Sequence, residues 1–553
     1  MAVAFELRAA ALSWLDDDPD PRTRQELADL LAAANDDPTA AAELANRFAG
    51  PLTFGTAGLR GELAAGPNRM NRAVVIRTTA GLAAYLNDAV RTGASHAGPV
   101  VVGFDARHSS DVFARDTAAV MRGAGLDAVL LPRPLPTPVL AFAVRRLRCL
   151  AGVMVTASHN PPRDNGYKVF LGDGAQIVPP ADAEISRRIG AIGAVAEVPR
   201  LDGWAVADEE LVDAYLDAVS ALPDPSSPRE LTMVYTPLHG VGDETVREAL
   251  KRAGFDAPIV VPEQARPDAD FPTVSFPNPE EPGAIDLATA LADQRRADIV
   301  VANDPDADRC AVAVPTSQGW QMLSGDDVGI LLADHLLRRG VGGVYATTIV
   351  SSSLLRRLAR AHGVGYRETL TGFKWIGRVE GLGFGYEEAL GYCVAPDLVR
   401  DKDGVSALLR VAELAAELKA AGLTLLDRLD QIAAEYGVYA TDQLSVRVKD
   451  TALIDTALRR LRESPPTSLG GYRVESADDL SQGGDGLAPT EGVRYRLAEG
   501  GRVVVRPSGT EPKIKCYLEV VVRVDAAGVG AARISAVGRL DAIRSDLTVA
   551  AGL

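Results

Sequence analysis

Three segments of the sequence share one order of elements: an apolar strand, a polar or small-residue loop, a helix, a glycine and a second strand. The segments are residues 99–131, 230–261 and 342–370, and the first two carry the near-copies AGLDA and AGFDA before the second strand. Strand, helix and strand in this order favour a parallel or mixed sheet. The repetition therefore predicts three related mixed-sheet α/β domains, with ligands at the carboxyl ends of the strands.

The two ends of the chain differ from these repeats. Residues 1 to about 48 are rich in Ala, Leu and Asp and predict helices, with a break at DDPDPRT. From about residue 437, apolar and polar residues alternate, which predicts a mostly antiparallel sheet with flanking helices. The fold class is therefore α/β with a C-terminal α+β domain, and the predicted domains are residues 1–215, 216–322, 323–435 and 436–553.

Composition limits the partners and the compartment. The 553 residues carry a net charge of −16, which argues against nucleic acids and anionic membranes but permits small phosphorylated ligands in a local cationic pocket. The four cysteines are far apart and favour a reducing compartment. Without a signal peptide or an apolar run of ~20 residues, we expect a cytoplasmic protein, either a monomer or a homodimer.

The stretch TASHNP at 156–161 ends an apolar strand in four polar or strand-breaking residues. One interpretation is a turn serine beside a surface histidine. A serine hydrolase is a second, but no G-x-S-x-G pattern surrounds Ser158. The third is a hydroxyl that carries a phosphoryl group, which requires a metal and cations opposite it.

A second strand, IVVAN, leads into Asp304, Asp306 and Asp308. Three carboxylates at alternate positions of a tight loop can converge on one hard divalent cation and leave room for a phosphate oxygen. The loop is not an EF-hand, because the sixth position is Arg309 instead of glycine and the twelfth is Pro315 instead of glutamate. A magnesium site is therefore predicted here.

Two further segments contain groups that suit phosphate and sugar. RPSGTEPK at 506–513 combines a guanidinium, two hydroxyls and backbone N–H groups, and it suits either a phosphate cradle or an ordinary β-turn. GYEEALGY at 385–392 contains paired glutamates suited to sugar hydroxyls. TGFKWIG at 371–377 adds a lysine suited to a phosphate.

Together, FGTAGLRG (54–61), TASHNPPRDNGYKVF, DPDADR and RPSGTEPK resemble the signatures of the α-D-phosphohexomutase superfamily, in this order and over nearly the whole chain. GYEEALGY and DKDGVSALL look most like its phosphoglucomutase-2 and phosphopentomutase branch. The resemblance implies four domains around a central cleft, which in order carry the phosphoserine, the metal, the sugar and the phosphate. It also implies a Mg²⁺-dependent isomerase that interconverts sugar 1-phosphate and sugar 6-phosphate through a phosphoserine enzyme and a bisphosphate intermediate, with a sugar bisphosphate as primer.

The resemblance assigns roles to named residues. Ser158 carries the phosphoryl group and completes the metal site with Asp304, Asp306 and Asp308. The other catalytic candidates are His159, Arg60 and Lys168. The substrate-binding candidates are Arg309, Lys374, Glu387 and Glu388, and the phosphate-binding candidates are Arg506, Ser508, Gly509, Thr510 and Lys513.

The sugar loop departs from the hexose pattern. Hexose-specific members usually have a serine after the glutamates, where this chain has Ala389 followed by Leu390. Glucose is the first choice of substrate, while mannose and pentose phosphates remain alternatives within the same chemistry. From other classes, a phosphatase or a non-catalytic sugar-phosphate-binding protein is also considered.

Overall fold

The computed structural model describes residues 5–448, 452–508 and 513–552. Up to residue 322 its elements are α1 (Phe5–Asp17), α2 (Pro21–Ala33), α3 (Pro38–Arg47), β1 (Leu59–Glu62), α4 (Arg72–Arg91), β2 (Val100–Phe104), α5 (Ser110–Gly123), β3 (Ala128–Leu130), α6 (Thr137–Arg146), β4 (Ala151–Val155), β5 (Asp164–Leu171), α7 (Ala181–Gly190), β6 (Ala205–Val206), α8 (Glu209–Ser220), β7 (Met233–Thr236), α9 (Gly242–Arg252), β8 (Ile259–Val260), α10 (Asp286–Arg295), β9 (Ile299–Ala302), β10 (Ala311–Thr316) and β11 (Gly319–Met322).

The elements that follow are α11 (Gly325–Arg338), β12 (Val344–Thr348), α12 (Leu354–Ala361), β13 (Gly365–Thr369), α13 (Phe373–Ile376), β14 (Leu382–Glu387), β15 (Gly391–Cys393), α14 (Gly404–Ala420), α15 (Leu425–Tyr436), β16 (Val438–Arg447), α16 (Ala452–Glu463), β17 (Ser468–Leu469), β18 (Tyr472–Asp479), β19 (Val493–Leu497), β20 (Arg502–Pro507), β21 (Lys513–Val522) and α17 (Gly528–Ala551).

The chain forms two compact units. Unit 1 contains the described residues up to Met322 together with Gly391–Ala416, and unit 2 contains Leu323–Leu390 and the described residues from Glu417 onward. Helix α2 begins within the predicted break at DDPDPRT, and α3 begins at Pro38. In each, an aspartate accepts a hydrogen bond from a first-turn backbone N–H and a proline opens the helix, as the N-caps Asp20 and Asp37 show.

Unit 1 contains two sheets. The first has the order β1-β5-β4-β2-β3-β6 and the second β11-β10-β9-β7-β8. Strand β2 pairs in parallel with β3 and β4, and β7 pairs in parallel with β8 and β9. Every residue of β2, β4 and β9 is buried, which suits their Val-rich sequences and a sheet covered on both faces. The serine loop follows the carboxyl end of β4, and the aspartate loop follows that of β9.

Unit 2 contains the third repeat and the C-terminal sheet. Strands β13, β12 and β14 are adjacent in that order and parallel. The C-terminal sheet is antiparallel, with the order β16-β21-β20-β19-β18-β17, and its core packs against buried residues of α16 and α17. The predicted fold class, with its three α/β repeats and a distinct C-terminal part, is confirmed, while the domain limits stay a prediction. Among the described residues, no helix is both long and apolar enough to cross a membrane.

Candidate active site

The loop after β4 presents Ser158 in a strained backbone conformation. Its φ is 52°, in the left-handed region that non-glycine residues adopt only when their surroundings hold them. The Ser158 N–H donates to Thr156 Oγ1 at 2.8 Å, and the Asn160 N–H donates to the Ala157 carbonyl at 3.0 Å. These bonds turn the chain sharply after the strand, and Ser158 is only 3 % exposed.

A buried arginine, Arg107, binds the backbone of this loop. The Arg107 guanidinium donates to the backbone carbonyls of Ser158, Asn160, Pro161 and Asp164, at 2.6, 2.6, 2.8 and 3.2 Å. Its Nε lies 3.4 Å from Asp105 Oδ2. Arg107 was not among the predicted site residues. The signal was FDARH directly after β2, since β2 and β4 are parallel neighbours whose carboxyl ends meet at one sheet edge.

The aspartate loop after β9 meets the serine loop. Ser158 Oγ donates to Asp304 Oδ2 at 2.8 Å. The carboxylates of Asp304, Asp306 and Asp308 each offer an oxygen within 4.8 Å of the others, and all three residues are fully buried. The structure thus brings the predicted serine and the three predicted aspartates into one cluster.

Two lysines neutralise part of this negative charge. Lys168, on β5, donates from Nζ to Asp306 Oδ2 at 2.7 Å and to Asp308 Oδ2 at 2.9 Å. Lys402 Nζ lies 3.3 Å from Asp308 Oδ2. Lys168 was predicted as a site residue, whereas Lys402 was not. Its signal was the DKDG sequence, in which a lysine stands between two aspartates.

Two of the carboxylates, Asp304 and Asp308, have pKa values shifted in opposite directions. Burial raises the pKa of Asp304 well above its usual range, and the negative charges of Asp306 and Asp308 add to the rise. Burial alone would also raise the pKa of Asp308, but the positive charges of Lys168 and Lys402 outweigh it and leave that pKa below its usual range. The cluster therefore favours further positive charge on the side of Asp304.

The cluster fits a hard divalent cation. Among residues 5–448, 452–508 and 513–552, no donor reaches the buried oxygens Asp306 Oδ1 and Asp308 Oδ1. Buried carboxylate oxygens without a partner are rare in folded proteins, and a cation is one of the groups that satisfies them. Because Lys168 contacts only the Oδ2 atoms, the Oδ1 atoms of Asp306 and Asp308 are available to Mg²⁺.

His159 and Arg60 complete the surroundings of the serine. His159 Nδ1 lies 3.1 Å from Ser158 Oγ. Burial lowers the pKa of His159 well below its usual range, and the positive charges of Arg309 and Arg60 lower it further, so the imidazole is neutral at pH 7. Arg60, on β1, donates to Asn160 Oδ1 at 2.9 Å and so lies beside the serine loop.

In unit 2 the paired glutamates have different surroundings. The Glu388 carboxylate accepts hydrogen bonds through Oε2 from Ser351 Oγ at 3.0 Å and from Thr348 Oγ1 at 3.2 Å. The backbone N–H of Glu388 donates to Ser351 Oγ at 3.2 Å. Glu387, the last residue of β14, is half-buried, as is Lys374 on α13. Glu388 is therefore anchored to the carboxyl end of β12.

The predicted phosphate cradle is the turn between β20 and β21. Arg506, near the end of β20, hydrogen-bonds the side chain of Tyr517 on β21. The Ser508 N–H donates to the Lys513 carbonyl at 2.8 Å and closes the hairpin. The predicted residues that lie outside the described residues are Gly509 and Thr510.

Four family models match the chain in consecutive segments. They describe the phosphoglucomutase/phosphomannomutase α/β/α domains I, II and III, at residues 51–195, 213–319 and 324–436. The fourth describes the C-terminal domain of the same family, at residues 445–535. Together these segments cover most of the sequence.

Relatives and a solved structure agree with these matches. A probable phosphomannomutase of Haemophilus influenzae is 47% identical over 81% of this chain and 93% of its own length. The phosphopentomutase and the glucose 1,6-bisphosphate synthase of Mus musculus are 37% and 35% identical, over 92% and 93% of this chain and 89% and 90% of their own lengths. A phosphoglucomutase/phosphomannomutase family protein from Burkholderia thailandensis shares the fold, with a TM-score of 0.69 and 22% identity over 90% of this chain and 97% of its own. The chain is thus an enzyme of the mutase class and belongs to the phosphoglucomutase/phosphomannomutase family of the α-D-phosphohexomutase superfamily.

Proposed function

We propose that the protein is a Mg²⁺-dependent phosphosugar mutase that interconverts glucose 1-phosphate and glucose 6-phosphate. The observation that carries this proposal is the contact of Ser158 Oγ with Asp304, 2.8 Å long, inside a cluster of three buried carboxylates. A serine hydroxyl held against carboxylates that fit a cation suits phosphoryl transfer, and no G-x-S-x-G pattern of a serine hydrolase surrounds it.

The proposed cycle begins with a phosphoryl group on Ser158. The free hydroxyl of a sugar monophosphate attacks the phosphorus, the bond from Ser158 Oγ to phosphorus breaks, and a sugar bisphosphate forms. We assign the proton of the attacking hydroxyl to the imidazole of His159, whose Nδ1 lies 3.1 Å from Ser158 Oγ, and the imidazolium then gives this proton to the departing Ser158 Oγ. The bisphosphate then turns round and returns its other phosphate to Ser158, which completes the isomerisation. A sugar bisphosphate is the primer that loads an unphosphorylated serine.

The charged residues of the cluster have complementary roles in this proposal. Asp304, Asp306 and Asp308 would hold Mg²⁺ together with the Ser158 oxygen. When bound, Mg²⁺ withdraws negative charge from the transferring phosphoryl group. Lys168 neutralises two of the aspartates. In addition, Arg60 and Arg309 supply fixed positive charge for the developing phosphoryl oxygens.

In unit 2, we assign Glu387 and Lys374 to the sugar phosphate. The Glu388 carboxylate is already held by Ser351 and Thr348, so we assign it to positioning the sugar loop instead of the direct contact expected from sequence. The residues assigned to the phosphate that is not reacting are Arg506, Ser508, Gly509, Thr510 and Lys513.

A pentose phosphate is the second candidate substrate. Ala389 lacks the hydroxyl that hexose-specific relatives offer to the sugar, and the Mus musculus relative is named a phosphopentomutase. Mannose is the third candidate, since the Haemophilus influenzae relative is named a probable phosphomannomutase. All three sugars use the same serine and metal chemistry.

The test is a comparison of kcat/KM for glucose 1-phosphate, mannose 1-phosphate and ribose 1-phosphate, with Mg²⁺ and a trace of the matching bisphosphate. We expect the highest value for glucose 1-phosphate. A preference for ribose 1-phosphate or mannose 1-phosphate would replace the substrate but keep the mutase chemistry. Release of inorganic phosphate without isomerisation would indicate a phosphatase, and no reaction with any sugar would contradict the proposal.

A further inference from the structure

A cavity of about 510 Å³ in unit 1 lies outside the serine and aspartate loops. Residues from separate parts of unit 1 line it: the loop before β2, the end of α6, the turn after β5 and the loop after β15. The lining residues are His96, Arg145, Arg148, Gly172, Asp173 and Arg400. Pockets of this size hold small metabolites.

The charge of this lining is opposite to that of the protein. Three arginines and one histidine line the cavity, against a single aspartate, in a chain whose net charge is −16. Within the described part of the chain, no carboxylate forms an ion pair with Arg148 or Arg400. A cationic lining inside an acidic protein focuses the potential for small anions.

The guanidinium of Arg145 is fixed by neutral groups. It donates to the backbone carbonyls of Pro396 and Asp397 at 2.8 and 2.5 Å. Burial lowers the pKa of Arg145, and the positive charge of Arg400 is the next cause. The two arginines therefore repel each other, and an anion placed between them would relieve that repulsion.

The backbone at the rim of the cavity is constrained. Arg148 has a φ of 52°, which is uncommon for a residue with a side chain. Its carbonyl accepts a hydrogen bond from His96 Nε2 at 3.1 Å, which ties the loop before β2 to the end of α6. The backbone of Arg148 is thus held by a contact between distant segments of the chain.

We propose that this cavity binds a small phosphorylated metabolite that carries at least two negative charges. Guanidinium groups match phosphate oxygens in pairs, and three arginines line this cavity, where no carboxylate of the described residues forms an ion pair with Arg148 or Arg400. The cavity does not include Ser158, so a failure of this proposal would leave the proposed mutase activity unaffected, and the reverse also holds.

The first test is protection of arginines from phenylglyoxal in the wild-type protein, read by peptide mass spectrometry, with pyrophosphate as probe in metal-free buffer. We expect pyrophosphate to slow modification of Arg148 and Arg400 at least about fivefold. The internal control is Arg146, which is exposed beside the cavity but does not line it and should react at the same rate throughout. Equal rates at Arg148 and Arg400 with and without pyrophosphate would overturn the proposal.

The second test is calorimetric titration with pyrophosphate of three variants. The double variant Arg148→Gln/Arg400→Gln should lose one binding event, while Arg146→Gln should keep it. Arg506→Gln identifies any event that belongs to the proposed phosphate cradle instead. Unchanged binding by the double variant would contradict the site. Citrate at matched ionic strength separates charge from phosphate recognition, and protection by citrate equal to that by pyrophosphate would contradict the phosphate class.

Discussion

The hydroxyl of Ser158 is held before any phosphate arrives. Its Oγ donates to Asp304, its N–H is bound by Thr156, and its carbonyl is bound by Arg107. An ordinary turn serine needs none of these contacts. The left-handed backbone at this residue, with a φ of 52°, is thus maintained by partners from three separate loops or strand ends.

Replacing Ser158 by alanine should abolish turnover without unfolding the protein. Alanine tolerates this backbone about as well as serine, but it offers no oxygen to carry the phosphoryl group. We expect kcat to fall at least about a thousandfold, with an unchanged circular dichroism spectrum. The matched control is Ser109→Ala, since Ser109 also has a positive φ of 65° and its side chain does not cap the helix that follows. Retained activity in Ser158→Ala would contradict the assignment.

The anchoring of Glu388 gives a second prediction. Ser351→Ala removes one donor from the Glu388 carboxylate, which costs about 1–3 kcal/mol where the group is not rehydrated. We expect KM for the sugar phosphate to rise more than kcat falls, because the sugar loop loses its anchor.

The control for this prediction is Ser353→Ala, two residues further along the same segment. The side chain of Ser353 makes no hydrogen bond within the described residues, although its N–H donates to Glu519. Equal kinetic parameters for Ser351→Ala, Ser353→Ala and the wild type would show that Glu388 does not position the loop.

The serine loop as a whole depends on one guanidinium. Arg107 satisfies four backbone carbonyls that follow β4, and a lysine ammonium cannot span them because its donors spread from a single nitrogen. Arg107→Lys should therefore lower kcat and reduce stability by about 3 kcal/mol, since unpaired buried carbonyls cost roughly 1–3 kcal/mol each. Arg163→Lys in the same loop is the control, because the Arg163 side chain is 77 % exposed. Equal thermal midpoints for both variants would contradict the clamp.

Asp326, in the first turn of α11, should make the stability of unit 2 depend on pH. Burial raises the pKa of Asp326 to about 7, and the charge of Glu388 adds to the rise, although hydrogen bonds from the Ser352 N–H and the Tyr386 hydroxyl oppose it. Between pH about 4 and 7, folded unit 2 holds a proton that the unfolded chain has released. Its free energy of unfolding should therefore fall as the pH rises through this range.

The test is the thermal midpoint of the wild type and of Asp326→Asn between pH 4 and 8. The difference between the two should depend on pH below about 7 and become constant above it, because asparagine does not titrate. Asp541→Asn, at an exposed carboxylate of α17, is the control. A difference that does not change with pH would show that Asp326 is ionised throughout.

Local patterns were sufficient for the elements and for much of the site. The apolar runs before TASHNP and DPDADR predicted β4 and β9, and the alternate spacing predicted that the aspartates converge. The residues that were missed act over long range. Arg107 reaches the serine loop because β2 pairs with β4, and Lys402 reaches Asp308 from a segment far along the chain. No local pattern states which loops meet, so such partners require the structure.

At the scale of the whole molecule, the excess of negative charge is unevenly distributed. The net charge is −16, yet unit 1 gathers cations at the serine and aspartate loops and again at the cavity lined by Arg145, Arg148 and Arg400. Small anions should therefore be attracted locally although the protein repels large polyanions.

Removing one carboxylate should weaken Mg²⁺ binding and catalysis together. Asp306→Asn replaces a buried oxygen that has no donor with an amide, so we expect the Mg²⁺ affinity to fall on the order of tenfold to a hundredfold. The measurement is calorimetric titration with Mg²⁺ beside a Mg²⁺ titration of activity. Asp270→Asn, at a side chain that is 75 % exposed, is the control. The same Mg²⁺ affinity in Asp306→Asn and the wild type would place the cation elsewhere.

The order of the chain also affects how the protein is made. Unit 1 is not continuous, because Gly391–Ala416 returns to it after residues 323–390 have been built into unit 2. That returning segment delivers Lys402 to Asp308. During synthesis on the ribosome, the aspartates emerge well before this lysine, so the nascent cluster lacks one of its counter-charges while much of unit 2 is translated. If the gene were split after residue 322, the first fragment would lack this lysine. The second fragment would then have to supply residues 391–416 to the first in order to complete the cluster.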